Sequence, residues 1–426
     1  MLFRPVRGMK DIYGEDIDKY NYIIEKSVEV AKVFGYKIIE TPILEYTDVF
    51  NRSIGEETDV VSKEMYTFED KGGESITLRP EGTAGVIRSI VTENLLQTLP
   101  LKLMYYGPMF RYDRPQKGRY RQFHQIGCEN IGEKTPYTDA LTIALSSGIL
   151  NSVGIFNFTV YINSLGDVET RKAYSKAIVK YFSRHENELS EDSKKRLVKN
   201  PLRILDSKDD KDIEICQMAP ILSDYLSKDS GVFFEKVSKL LESYGIAFEK
   251  DDFLVRGLDY YCHTAFEIKV NNRKDLGAIG GGGRYDNLVK EFGGPDISGI
   301  GFALGIERIM SFLDESGLDG IVPKKIYKVA VVPISDSDND EAFKIIKKLY
   351  DNSICAEFID IGSVTKRVKT ADKLGCDMAL IIGEDERVNK TITVKFLRSN
   401  DSKSKNISIS GRSITEFVKY HSQKST

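Results

Sequence analysis

The chain has 426 residues, enough for two to three domains, and its 41% hydrophobic and 29% charged content is an ordinary globular mixture that excludes a disordered chain. The formal net charge of −3 gives no bulk attraction for a polyanion, and no run approaches the roughly 18 consecutive apolar residues of a membrane helix. Five scattered cysteines (Cys128, Cys216, Cys262, Cys355, Cys376) form no CxxC pair and the four histidines lack metal-ligand spacing, which argues against a disulfide framework and a zinc site.

The stretch Met1-Leu2-Phe3-Arg4-Pro5-Val6-Arg7-Gly8 holds no apolar signal core, so a cytoplasmic protein is expected. Helical spacing of Ile17, Tyr20, Ile24, Val28 and Ala31 predicts a helix over 16–34. Residues 36–44 read as extended chain stopped by Pro42. A helix is expected over 83–99, then two strands over 101–112 and 119–131. Residues 167–250 read as a mostly helical, charge-rich insertion, and strand-like runs return at 264–270 and 298–303. The tail alternates strand and helix: Lys328–Ile334, Asp340–Tyr350, Ala356–Ile361, Ser363–Leu374 and Met378–Gly383. That alternation predicts a small α/β domain with a largely parallel sheet. A Gly/Pro/Lys-bearing joint at Gly317–Lys325 divides the chain into an α+β domain, 1–322, and an α/β domain, 323–426. Residues 328–426 carry 17 Lys and Arg against 14 Asp and Glu, a balance of +3 that leaves −6 for the rest.

Four clusters carry chemistry. If 119–129 is a strand, one face shows Arg119, Arg121, Phe123, Gln125, Gly127 and Glu129, with Arg111 on the strand before. Such a row makes a poor dry core, because unpaired buried charges cost several kcal/mol each (roughly). It suits a ligand with phosphates, a base and polar groups, and it suits a solvent-exposed sheet face equally. The second cluster, Arg79-Pro80-Glu81-Gly82-Thr83, places a carboxylate and a hydroxyl at a helix entrance, either to bind an ammonium or to cap the helix. The third joins Arg256-Gly257-Leu258-Asp259-Tyr260-Tyr261 to Gly280-Gly281-Gly282-Gly283-Arg284-Tyr285-Asp286, where four glycines let a ligand or another strand come close. Neither a P-loop nor a Rossmann fingerprint is present. The fourth, Gly301-Phe302-Ala303-Leu304-Gly305-Ile306-Glu307-Arg308, sets a cation near a helix N-terminus, where an anionic ligand would offset the helix dipole.

Together and in this order, the clusters resemble the class II aminoacyl-tRNA synthetases and, within them, the histidyl-tRNA synthetases. Pro42 is similar to the first class II motif. Gly107–Arg111 through Arg119–Gln125 matches the second, and Gly301–Arg308 the third. Arg256–Tyr261 and Gly281–Asp286 resemble the signatures that set the histidine enzymes apart. The resemblance spans nearly the whole chain. It implies an α+β catalytic domain built on an antiparallel sheet, a helical insertion and a C-terminal anticodon-binding domain. It also implies a homodimer formed through the catalytic domain.

The activity implied is ATP-dependent activation of histidine and its transfer to tRNA, with Mg2+ on the nucleotide. By the same resemblance, Arg111 and Arg256 hold the α-phosphate and the substrate carboxylate, and Arg308 meets the γ-phosphate. Phe123 stacks on adenine, and Arg119 and Arg121 also contact ATP. Glu81, Thr83 and Gln125 take the α-ammonium. Glu129 and Tyr261 serve the imidazole nitrogens, with Tyr260 and Tyr285 as pocket walls. No side chain is expected to ligate a resident metal. A non-catalytic relative, the regulatory subunit of ATP phosphoribosyltransferase, shares the domain but typically lacks the C-terminal domain and parts of the ATP site. Residues 328–426 and all three key arginines are present here.

Overall fold

A computed structural model describes residues 3–55, 58, 60–116, 118–207, 209–273, 275, 277–316, 327–398, 405–408 and 413–424. Two units divide the chain, Met1–Pro323 and Lys324–Thr426. The expected joint at Gly317–Lys325 lies outside the described residues, as does Lys117 in the loop between the first two long strands.

The first unit is organised by an eight-stranded sheet. Its spatial order is Lys37–Ile38, Leu101–Phe110, Gln122–Ile131, Gly299–Gly305, Ala278–Arg284, Cys262–Val270, Phe158–Ser164 and Phe248–Lys250. The inner pairings are all antiparallel, and only the two short edge strands pair in parallel. Strand periodicity separates the two faces. Met104, Ile126, Cys128, Phe266, Ile268 and Leu304 point to one core, covered by helices Glu15–Val33, Pro136–Ser152, Lys228–Tyr244 and Ile306–Ser316. Leu103, Tyr105, Met109, Ala265 and Ile131 point to the other, shared with helix Thr83–Thr92. A separate three-stranded sheet, Leu44–Tyr46, Ser75–Leu78 and Tyr66–Glu69, stands beside it.

Helix Pro136–Ser152 has no amphipathic period, because most of its circumference is buried, including Ile143, Leu145, Ile149 and Leu150. Its start is written in Thr135, whose hydroxyl accepts from the Thr138 amide at 3.2 Å, followed by Pro136 in the first turn. The expected helix over 83–99 instead ends at Thr92. Asn94 turns the chain through the left-handed region into a short 3₁₀ segment, Leu95–Thr98.

The glycine run forms a central strand, Ala278–Arg284, between Gly299–Gly305 and Cys262–Val270. The last residue, Arg284, is fully buried and pairs with the fully buried Asp139 of helix Pro136–Ser152, with a second contact to Asp286 at 3.2 Å. Burial opposes its charge, but Asp139 and Asp286 outweigh that and raise its pKa.

The insertion supplies helices Val168–Phe182, Glu191–Lys199 and Asp210–Cys216 around Tyr174, Ile178, Phe182, Leu197 and Ile204. Asp167 and Ser190 cap the first two.

The second unit carries a five-stranded sheet in the order Cys355–Phe358, Lys328–Pro333, Met378–Ile382, Thr391–Phe396, Lys405–Ser408. The sheet is mixed rather than largely parallel: two pairings are parallel and two antiparallel. The six-residue helix Glu384–Asn389 joins Met378–Ile382 to Thr391–Phe396. A parallel crossover needs about a dozen residues or more, so this link returns the chain antiparallel.

Asp139→Ala strands the buried Arg284 guanidinium and is expected to cost about 3–5 kcal/mol of stability. Urea unfolding of the full chain measures it, and a loss near zero counts against a buried ion pair.

Candidate active site

A cavity of about 350 Å³ opens on the sheet face that carries Tyr105 and Ala265. Gly280 and Gly281 line it, and further glycines of the sheet lie against the side chains around it. A Cβ on Gly281 would meet the Phe266 carbonyl at 2.6 Å and the Arg256 guanidinium at 3.0 Å. A Cβ on Gly301 would fall on the Glu129 carboxylate, and one on Gly127 on the Tyr105 ring. Side chains from neighbouring segments therefore lie flat across the strands, where any larger residue would lift them off.

Three arginines converge at one end. Arg111 donates from Nε to the Pro80 carbonyl at 2.8 Å, and its guanidinium lies 5.3 Å from the Phe123 centroid. Arg119 donates to Asp113 at 3.1 Å. Arg308, the third residue of helix Ile306–Ser316, donates to the Ala278 carbonyl. Burial, then the positive charges of Arg119 and Arg111, lower the Arg308 pKa to about 10. Like charges held this close favour an anion between them.

Arg256 lines the middle of the cavity and donates to Glu267 at 2.5 Å. Burial works against its charge, but Glu267 and the Tyr261 and Tyr260 hydroxyls outweigh it and raise its pKa. Its Nε is buried and has no partner, and the Gln125 Oε1 is in the same state. Buried polar atoms are nearly always satisfied, so two orphans in one cavity fit a polar ligand.

At the closed end, Glu81 accepts from the Thr83 and Ala84 amides at 2.8 and 2.7 Å, so this carboxylate caps the helix. Thr83 spends its hydroxyl differently, donating to Glu129 at 2.7 Å. Glu129 is fully buried and also receives the Tyr285 hydroxyl at 2.5 Å and the Tyr105 hydroxyl at 3.3 Å. Burial pushes its carboxyl up to about 8.

The structure thus brings Glu81, Thr83, Arg111, Arg119, Phe123, Gln125, Arg256, Tyr260, Tyr261 and Arg308 around one space. Three sequence expectations shift. Arg121 does not line the cavity, because the second long strand begins only at Gln122 and the alternation assumed for 119–121 fails. Its guanidinium stacks 3.6 Å from the Tyr112 centroid instead and donates to the Asp113 carbonyl. Tyr285 is not a cavity wall: its ring is buried and its hydroxyl holds Glu129. Glu129 itself sits one hydrogen bond behind the wall, reached through Thr83.

Two further cavity residues, Glu267 and Arg203, carry no role in the sequence reading. Glu267 was readable, since it alternates with Ala265 on strand Cys262–Val270 and so faces the site. Arg203 comes from the insertion, and no local pattern points it at the cavity.

Residues 8–309 match the family model described as histidyl-tRNA synthetase, and residues 328–420 match the model of an anticodon-binding domain. The chain belongs to the histidyl-tRNA synthetase family. It is 44% identical to the histidine–tRNA ligase of Gluconobacter oxydans over 93% of this chain and 95% of that one. To the same ligase of Anoxybacillus flavithermus it is 45% identical, over 94% and 96%. The apo crystal structure of Staphylococcus aureus histidyl-tRNA synthetase superposes with a TM-score of 0.81 at 37% identity, covering 99% of this chain and 100% of that one. A Bacillus halodurans protein described as an ATP phosphoribosyltransferase regulatory subunit/histidyl-tRNA synthetase shares the fold at 23% identity and a TM-score of 0.64, over 90% and 98%. The histidyl-tRNA synthetase catalytic fold is therefore the class II fold expected from the sequence, followed by an anticodon-binding domain. No helix among the described residues is long and apolar enough to cross a membrane.

Glu129 yields a pH test. Its folded-state carboxyl titrates above the ordinary value of 4.5, near 8. Its contribution is then fully present below about pH 4.5 and lost as pH rises through about 8. Relative to Glu129→Gln, the ligand-free protein should lose stability between about pH 5 and 8, measured by paired urea titrations. A pH-independent difference would mean that the carboxyl is already ionised.

Proposed function

We propose that this chain activates histidine with ATP and then loads it onto the 3′-terminal ribose of a histidine-accepting tRNA. The reading is carried by the trio Arg111, Arg119 and Arg308, which line one cavity beside the polar pocket, with the charges of Arg119 and Arg111 adding to burial in lowering the pKa of Arg308. A polyphosphate is the ligand that relieves this repulsion.

In the first step a histidine carboxylate oxygen attacks the α-phosphorus of ATP, and pyrophosphate leaves. In the second a ribose hydroxyl takes the acyl group from histidyl-adenylate, releasing AMP. Neither step needs a protein nucleophile, so positioning and charge stabilisation do the work. Guanidiniums stay charged and bind phosphate in a fixed fork. Arg111 and Arg256 would hold the α-phosphate and the histidine carboxylate, with the unpartnered Arg256 Nε as the free donor. Arg308 and Arg119 would take the terminal phosphate, and Phe123 the adenine face.

The described residues include no cluster of three metal-ligating side chains. Mg2+ would enter as the counter-ion of the ATP substrate.

Histidine selection follows from hydrogen-bond demand. An imidazole has two ring nitrogens to satisfy. One would replace the Thr83 hydroxyl on Glu129, and Tyr261 would meet the other beside Tyr260. Glu81, Thr83 and the unpartnered Gln125 Oε1 suit the α-ammonium. Apolar amino acids of similar size would leave these buried groups unpaired.

The anticodon-binding domain supports tRNA as partner, in a cytoplasmic enzyme. Exposed Leu44, Tyr46 and Phe68 on the small sheet, with Ile43 just before it and Ile38 nearby in sequence, support a homodimer through the catalytic unit.

Pyrophosphate exchange with each of the twenty amino acids tests this reading. Histidine alone should sustain exchange, and adding tRNA should give charging. Arg308→Ala and Glu129→Ala should each lower exchange by about 10²–10³. Exchange sustained by another amino acid, or an active Glu129→Ala, would sink the pocket assignment; exchange without charging would sink the second step.

A further inference from the structure

The loop that carries Arg256 has no regular secondary structure: residues 254–261 lie between strands Phe248–Lys250 and Cys262–Val270. Nothing in a helix or sheet ladder fixes its backbone, so other bonds must do so. Many of them come from the helical insertion. Arg203, on the 3₁₀ segment Pro201–Asp206, donates to the Gly257 carbonyl at 2.5 Å and reaches the Asp259 carboxylate at 3.4 Å. Asn200 donates to the same carboxylate at 3.2 Å. Arg171, from helix Val168–Phe182, donates to the Asp259 carbonyl at 3.3 Å. On the other side, the Asp259 amide donates to the Ile54 carbonyl at 3.1 Å.

We propose that Arg203 is a positioning residue: through Gly257 and Asp259 it locks the loop so that Arg256 faces the α-phosphate, making the insertion a working part of the activation site. Two observations beyond the bonds support this. The Arg203 side chain is largely covered and lines the same cavity as Arg256. It also walls a second cavity of about 270 Å³, with Asn200, Leu202, Val255 and Leu258, that separates the insertion from the loop. Polar bonds therefore bridge a gap that side-chain packing leaves open. The insertion has its own core around Tyr174, Phe182 and Leu197, so it can shift as a body and carry Arg203 with it.

The inference rests on assigning Arg256 to the activation step, and one experiment separates the two. Histidine-dependent pyrophosphate exchange is measured for the full-length Arg203→Ala, Asp259→Asn and Arg256→Ala chains and for the Arg203→Ala/Arg256→Ala double variant. Arg203→Ala and Asp259→Asn should each lower kcat about 10-fold or more, with KM for ATP and for histidine changed less than about 3-fold. In the double variant, losing Arg203 should add nothing to the loss of Arg256. Thermal melting of each chain checks folding, and Asp259→Asn preserves the bulk of the loop should Arg203→Ala unfold. If Arg256→Ala is fully active, the assignment of Arg256 fails. If Arg256→Ala is impaired but the Arg203 effect multiplies with it, or falls on KM alone, the positioning role is overturned.

Discussion

The first unit depends on one constraint: cationic and aromatic side chains must lie flat on a sheet that has no side chains of its own at those points. Gly281, Gly301 and Gly127 make that surface. Glycine weakens a strand, through entropy and lost packing. Here the weakness is offset by neighbours on both sides of strand Ala278–Arg284 and by the apolar layer beneath, from Phe266 and Ile268 to Leu304. A single methyl group at these positions would displace Arg256, Glu129 or Tyr105, so the chemistry of the site is written partly in what the strands omit.

Two arginines, Arg284 buried and Arg256 half-buried, show how the fold separates support from function. Arg284 is closed in by Asp139, Asp286 and the Glu133 carbonyl. It is a strut between the glycine strand and helix Pro136–Ser152. Arg256 also has a carboxylate partner, Glu267, but its Nε remains unsatisfied. One guanidinium has finished its bonding and the other has a donor in reserve. Sequence motifs contain both residues and the resemblance gives a ligand role to Arg256 alone; the count of partners separates the two in physical terms.

Much of the architecture was legible because period and punctuation carry it. The helix over 16–34, the strands on either side of residues 111–121, and the strand–helix order of the tail all follow from apolar spacing. The site's gathering was legible through the resemblance, since Arg111, Arg256 and Arg308 are far apart in sequence. What was not legible has physical causes. Helix Pro136–Ser152 is buried nearly all round and shows no stripe. Arg121 departs from strand alternation because the strand starts one residue later. The parallel-versus-antiparallel choice in the tail turns on the length of one connection, which hydrophobic pattern does not encode. Arg203 is positioned by tertiary contact alone.

The sheet order also bears on how the molecule comes into being. Strand Gln122–Ile131 pairs with Gly299–Gly305, and Phe158–Ser164 waits for Cys262–Val270 across the whole insertion. Contacts of such high sequence separation make for slow folding, because loop closure must precede the reward. During synthesis, a nascent chain that stops short of Gly299 lacks both the strand beside Glu129 and the cation at 308. The cationic end of the cavity is therefore completed only late in translation, once residues 299–308 have joined the sheet.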